Sequence, residues 1–259
     1  MNIDTLILSG GGNKCSSFLG SLKYLIDNKI IDFKKIKKII GVSGGMMYII
    51  PLLLGYSIDE TIKIFLNTNP KNLLNYDQFS IQNLINNYGI FENNLMKYYC
   101  TIFQKYKQYN EINLKELYQL SKIELIGKVV NVTKNRIEYI SYQSHPNLKL
   151  SLLIQMTTCI PIIFQPILYK KDYYVDGGML DNYPLHVFDG KYPGDPQAVL
   201  NKVKPNPYTL GLKLMSNNEE HDLEVTKRVD IATEKEFLCQ LISTLYIQGE
   251  RKNMVPKKL

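Results

Sequence analysis

KKIIGVSGGMMYIIPLLLGY, residues 37–56, carries the pattern that decides the fold. KKIIGV (37–42) is a short apolar run of strand character. GGMMYIIPLLLGY (44–56) reads as a helix, with Pro51 setting a bend. Ser43 is left at the junction, inside Gly41-Val42-Ser43-Gly44-Gly45. The stretch also imitates a membrane span, since residues 39–58 carry no charge and about 20 apolar residues cross a bilayer. Its glycines and proline favour a different origin for that hydropathy: a buried strand, a tight turn and a buried helix.

Upstream, DTLIL (4–8) is a second short apolar strand and runs into SGGG (9–12). SSFLGSLKYLIDNK (16–29) then places Phe18, Leu19, Leu22, Leu25 and Ile26 at helical spacing. Strand, helix, strand and helix in so short a span predict a parallel α/β sheet. Downstream, residues 58–115 read as a polar helical insertion, with 74–109 a candidate lid. IELIGKVVNV (123–132) and RIEYISY (136–142) are strands around a TKN turn, and LSLLIQMTTC (150–159) is a helix stopped by Pro161. Residues 164–178 alternate like a hairpin turning at Lys170–Lys171. PYTLGLKLMS (207–216) is a late strand and 230–250 a final helix, with 189–206 as a Pro- and Gly-containing loop. One domain of 259 residues accommodates all of this.

The net charge of +7 comes from lysine runs such as KKIKK (34–38). It suits anionic partners, a phospholipid surface or nucleic acid, or simply a solvated face. Cys15, Cys100, Cys159 and Cys239 lack metal-ligand spacing, so no zinc site is read. The N-terminus lacks the basic start and apolar core of a signal peptide, which predicts an intracellular chain with reduced thiols.

Gly41-Val42-Ser43-Gly44-Gly45 satisfies G-x-S-x-G between a strand and a helix. A serine there takes strained backbone angles to lift its hydroxyl clear of the sheet, and Gly41 and Gly45 must stay small. The helix start offers unpaired amides where negative charge develops, Gly44 among them. SGGGNKC (9–15) also bridges strand and helix, and its glycines free amides for an anion. That anion is either an oxyanion or a nucleotide phosphate. The dinucleotide fingerprint wants glycine where Cys15 stands, Asp32 follows no clear second strand, and the P-loop spacing after Lys14 fails. Val175-Asp176-Gly177-Gly178 puts a carboxylate at a strand end, or is a plain Asp-Gly turn. A serine nucleophile needs a base. His186 completes a Ser43, Asp176, His186 order on paper, while His145 and His221 read as surface residues.

SGGGNK, GVSGG, TTCIPIIFQPI (157–167) and VDGGMLDNYP (175–184), in that order, resemble the patatin-like phospholipases. The similarity runs from about Thr5 to Leu214 and is loose over 58–115. The resemblance implies a three-layer α/β/α fold with a mostly parallel sheet. It implies a serine–aspartate dyad acting on phospholipid or another acyl lipid, with an acyl-enzyme intermediate, no metal and no other cofactor. Ser43 carries over as nucleophile and Asp176 as base. Gly10, Gly11 and Gly12, with Gly44, carry over as the oxyanion hole. Lys14, Gly41, Gly45, Gly177, Gly178, Asn182 and Pro184 carry over as supports. A peripheral membrane surface is the implied partner and nucleic acid is not. An ordinary aspartate titrates near ~4 and stays ionised over a broad pH range. Cys15 departs from the family's glycine. A positive φ there costs about 1 kcal/mol, and a thiol beside the site suggests redox sensitivity.

Overall fold

The computed structural model describes residues 2–67, 81–91, 112–189 and 205–215. The helix expected over 230–250, most of the loop over 189–206 and much of the insertion lie outside the described residues. Along the chain, β1 (Thr5–Leu8) and β2 (Lys38–Gly41) flank helix α1 (Ser17–Asp27). Helices α2 (Gly44–Leu53) and α3 (Ile58–Leu66) follow. Then come α4 (Ile81–Asn87), β3 (Gly89–Phe91), α5 (Leu114–Ser121), β4 (Glu124–Asn131) and β5 (Arg136–Ile140). Helix α6 (Leu150–Thr157) precedes β6 (Ile162–Phe164), β7 (Ile167–Tyr169), β8 (Asp172–Asp176) and β9 (Thr209–Leu212).

The charge-free stretch 39–58 is therefore divided among the end of β2, a turn, α2 and the entry to α3. Among the described residues no helix is long and apolar enough to cross a membrane. Helix α3 begins where local chemistry satisfies its free amides. Ser57 Oγ accepts the Glu60 amide at 3.2 Å, and the Glu60 carboxylate accepts the Ser57 amide at 2.8 Å.

A seven-stranded sheet runs β7-β8-β4-β2-β1-β9, with β5 also on β4. Strands β9, β1, β2 and β4 are mutually parallel, whereas β5, β7 and β8 are antiparallel additions. Both faces are covered, so alternate residues of one strand enter different cores. Leu6, Leu8, Ile39, Leu125 and Val129 pack with helices α1, α2 and α6. Ile7, Ile40 and Ile126 face the other way, onto Tyr183, Leu185, Val187 and Phe188. Side chains as buried as Leu6 and Ile7 each contribute about 1.5–3 kcal/mol. One pairing was not expected: β3, inside the insertion, pairs in parallel with β6 as a separate two-stranded sheet. Three-residue strands show too little periodicity to be read from sequence.

The register around β4 positions the site. Gly127 pairs with Gly41 of β2 and with Ile140 of β5, so those two strands lie on opposite edges of β4. Val129 pairs with Glu138 of β5 and with Asp176 of β8. Strand β8 therefore occupies the edge that β2 has just vacated. Strand β2 ends, the chain turns at Ser43, and Asp176 arrives from the other direction to fill the gap.

Candidate active site

Ser43 sits between β2 and α2 with φ 50° and ψ −128°, a left-handed conformation for a residue with a Cβ. Such a conformation costs of order 1–3 kcal/mol and persists only when its surroundings enforce it. Here the sequence supplies the enforcement. A Cβ on Gly41 would lie 2.5 Å from Met46 Cα, and one on Gly45 would lie 2.3 Å from the Ser9 carbonyl oxygen. The turn closes this tightly because both side chains are hydrogen. The Ser43 amide donates to Thr157 Oγ1 at 3.1 Å, and that hydroxyl donates to the Lys128 carbonyl at 2.8 Å.

Asp176 is the last residue of β8 and is fully buried. Its amide donates to the Cys159 carbonyl at 2.9 Å, and its Oδ1 accepts the Gly178 amide at 2.7 Å. Gly177 lies against the Lys128 carbonyl, with no room for a side chain. Burial pushes the Asp176 carboxyl up to about 6, against the lowering effects of the Ser43 hydroxyl, the Gly178 amide and the Lys128 charge, in that order. The expectation of an ordinary carboxylate titrating near ~4 is thus corrected, because desolvation outweighs three stabilising neighbours. The Ser43 hydroxyl is near enough to act on the carboxyl. Yet Oδ2 makes no hydrogen bond of full geometry among the described residues, leaving a buried acceptor on that carboxyl. Contacts of this kind commonly tighten only when substrate is bound.

The glycine loop packs against this pair. A Cβ on Gly10 would fall 3.1 Å from Ser43 Cβ and 2.2 Å from Asn182 Oδ1. Gly44 abuts the Gly12 carbonyl. Asn182 holds the loop from both sides, its Nδ2 donating to the Gly10 carbonyl and its carbonyl accepting the Gly10 amide, each at 3.2 Å. The Gly10 amide is therefore engaged by Asn182 in this structure. The amides of Gly11, Gly12 and Gly44 have no acceptor among the described residues. Pro184 opens the short turn Leu185–Phe188 on the far face of the sheet.

Lys14 is exposed, and its main chain serves the 3-10 turn Gly12–Ser16. Cys15 has no positive φ, so the departure from glycine carries no backbone strain. Its thiol is fully buried and pushed up to about 12, by burial first and then by the Asp176 charge. A thiol so far from ionisation is a poor target for oxidants, which removes the basis for redox sensitivity.

Two buried polar side chains at the site were not read from the sequence. Thr157 ends α6, and Lys128 lies in the middle of β4, both fully buried. Lys128 Nζ lies 2.9 Å from Asp181 Oδ2 and also donates to the Asp181 carbonyl. Burial lowers its pKa, opposed by Asp181 and Asp176. The signal was present, since a lysine interrupts the apolar run LIGKVV (125–130) and is almost never buried without a partner.

The histidines lie elsewhere. His186 Nδ1 is 2.7 Å from Asp189 Oδ2, with its side chain 57% exposed. His145 neighbours Lys170, Glu138 and Lys134. His221 is outside the described residues. Among the described residues no histidine acts on Asp176. Among the described residues no three His, Cys, Asp or Glu side chains are grouped to hold a metal ion.

Comparison with known proteins follows the same outline. The model of the family described as patatin-like phospholipase matches residues 6–189. The chain is 30% identical over 243 residues to "Uncharacterized protein R571" of Acanthamoeba polyphaga mimivirus, covering 94% of this chain and 76% of that protein. It is 29% identical over 184 residues to "Probable lipid hydrolase 463L" of Invertebrate iridescent virus 6, covering 71% of this chain and 62% of that protein. Among solved structures, VipD from Legionella pneumophila superposes with a TM-score of 0.56 at 19% identity, over 82% of this chain and 49% of that one. At that identity the likeness concerns the fold alone.

Proposed function

Because the chain belongs to the patatin-like phospholipase family, we propose that it is a lipid acyl hydrolase working through Ser43 and Asp176. The observation that carries this reading is a fully buried carboxyl at the Ser43 turn, influenced by the Ser43 hydroxyl, whose Oδ2 makes no hydrogen bond among the described residues. The viral relative described as a probable lipid hydrolase supports a lipid substrate.

The chemistry is acyl transfer in two steps. Asp176 takes the Ser43 proton as Oγ bonds to the ester carbonyl carbon, and the carbonyl electrons move to oxygen. The amides of Gly11, Gly12 and Gly44 donate to that oxyanion, while Gly10 and Asn182 hold the loop. The alcohol leaves with the proton from Asp176. Water then attacks the acyl-serine, giving its proton to Asp176, and the fatty acid is released as Ser43 is reprotonated. Burial, by raising the carboxyl to about 6, makes it a stronger base than an ordinary aspartate while leaving it ionised at neutral pH.

The test is a set of single variants assayed on a soluble short-chain ester and on phospholipid vesicles. Ser43→Ala and Asp176→Asn abolish turnover, and a fluorophosphonate labels Ser43 in the parent chain. His186→Ala retains activity. Loss of turnover in that variant would replace the dyad by a triad.

A further inference from the structure

The hairpin β7–β8 projects past the site. Asp176 pairs with Val129, Tyr174 pairs with Asn131, and the Tyr173 carbonyl accepts the Val132 amide. Each step back along β8 therefore moves beyond the C-terminal end of β4. At a rise of about 3.3 Å per residue, the turn lies roughly 17 Å beyond Asp176. It extends outward from the C-terminal ends of the parallel strands, the same end of the sheet at which Ser43 stands.

The turn has an unusual composition for its geometry. Tyr169 pairs with Asp172, so Lys170 and Lys171 alone form the loop, with φ 56° and φ 122°. Two successive positive φ values are the requirement that Asn-Gly meets most easily in a two-residue hairpin. Lysines there cost stability, and strain kept at a surface site points to a use for the side chains. Both are exposed. The neighbouring charges are already matched, Lys134 with Asp172 at 2.5 Å and Arg136 with Glu138 at 2.7 Å. No carboxylate among the described residues pairs with Lys170 or Lys171.

Apolar side chains surround this positive tip. Leu168 and Tyr173 are cross-strand partners on one face, 58% and 37% exposed. Tyr88, 64% exposed, packs edge-on against Tyr173 at 5.9 Å between ring centroids. Val132, beside Tyr173, is exposed as well. Tyrosine rings and aliphatic side chains flanking lysines match the boundary between anionic headgroups and acyl chains.

We propose that the Lys170–Lys171 turn, with Tyr88, Val132, Leu168 and Tyr173, is the surface by which the chain docks on an anionic phospholipid bilayer. The inference rests on the proposed lipid hydrolysis for its choice of partner. It adds where the membrane lies relative to Ser43.

Binding is measured by flotation with vesicles of phosphatidylcholine, alone or containing phosphatidylserine. The Ser43→Ala chain is used so that lipid is not consumed. It binds the phosphatidylserine vesicles more tightly, and added salt weakens that binding. Lys170→Asn/Lys171→Gly lowers the partition coefficient about 30-fold, at roughly five-fold per lysine. Its unfolding temperature is unchanged or higher, because the turn is relieved of strain. Leu168→Ser weakens binding to both vesicles. Equal binding by the double variant and its parent would overturn the proposal. So would absence of vesicle binding together with lysine-dependent binding to polyglutamate, which assigns the tip to an acidic protein. A parent chain that cleaves a soluble ester but ignores vesicles sinks the docking surface alone. A chain that binds through its lysines yet cleaves no ester sinks the hydrolase reading alone.

Discussion

The main-chain amide of Ser43 is held by the side-chain hydroxyl of Thr157, 3.1 Å away and 114 residues distant in the chain. That hydroxyl passes the restraint to the carbonyl of Lys128, so α6 and β4 together hold the strained turn. Thr157→Val removes the acceptor and leaves a buried amide unpaired, at a cost of about 1–3 kcal/mol. The proposed nucleophile also loses its alignment, and kcat/KM on a soluble ester falls by ~10–100-fold. Thr157→Ser restores most of both. An unchanged kcat/KM in the valine variant would show that the turn is held without this contact.

The Asp176 carboxyl, raised from 3.8 to about 6, predicts an activity profile with one acid limb. kcat/KM on a soluble ester rises through pH 6 as the base ionises and levels off above it. A profile flat down to pH 4 would contradict this assignment.

The same group makes a stability prediction of definite sign. Between 3.8 and about 6 the folded chain binds a proton at Asp176 that the unfolded chain releases. Stability from this group is fully present below the unfolded value and is lost as pH rises through the folded one. The shift corresponds to about 3 kcal/mol at neutral pH. Asp176→Asn should therefore raise the unfolding temperature at pH 8, do little at pH 4 and still abolish turnover. Equal effects at the two pH values would show that the carboxyl is not held unfavourably.

Lys128 lowers the Asp176 pKa and clamps the Asp181 segment that leads into Asn182. In Lys128→Met the acid limb of the rate profile moves to higher pH. Stability falls by less than the ~3–5 kcal/mol of a fully buried broken pair, because the Asp181 side chain keeps 22% exposure. An unshifted limb with reduced stability would leave Lys128 a purely structural residue.

Gly10 and Gly12 should respond differently to alanine. A Cβ on Gly10 meets Asn182 Oδ1 at 2.2 Å, so Gly10→Ala displaces the loop beside Ser43. Loss of loop donors costs ~10²–10³ in rate. Gly12 has φ 56° with open space around it, so Gly12→Ala costs about 1 kcal/mol of stability and a smaller share of activity. Similar rates in both variants would mean that the loop does not depend on the Asn182 contact.

Much of the site was legible because it is built from local patterns. Gly41 and Gly45 around Ser43 announce a turn too tight for side chains, and the apolar runs on either side announce strand and helix. The Lys170–Lys171 turn was legible from alternation alone, and β7 and β8 pair as that alternation predicts. The strand β3 was not, since its partner β6 lies some 70 residues away. The commitment of the Gly10 amide to Asn182 was also invisible, because a glycine loop advertises free amides without showing which are taken.

By itself, then, the order of residues determined the succession of strands and helices and the chemistry available at Ser43, the glycine loop and Asp176. Each depends on neighbours within a few positions. Tertiary structure decided what those groups experience. Only the succession of Gly41, paired with Gly127, and Asp176, paired with Val129, along one edge of β4 brings the carboxyl to the serine turn. Only burial raises that carboxyl to about 6, and only the fold brings Lys128 and Thr157 to the turn. Solvation and long-range contact depend on every layer packed around a group, and no local stretch of sequence contains that information.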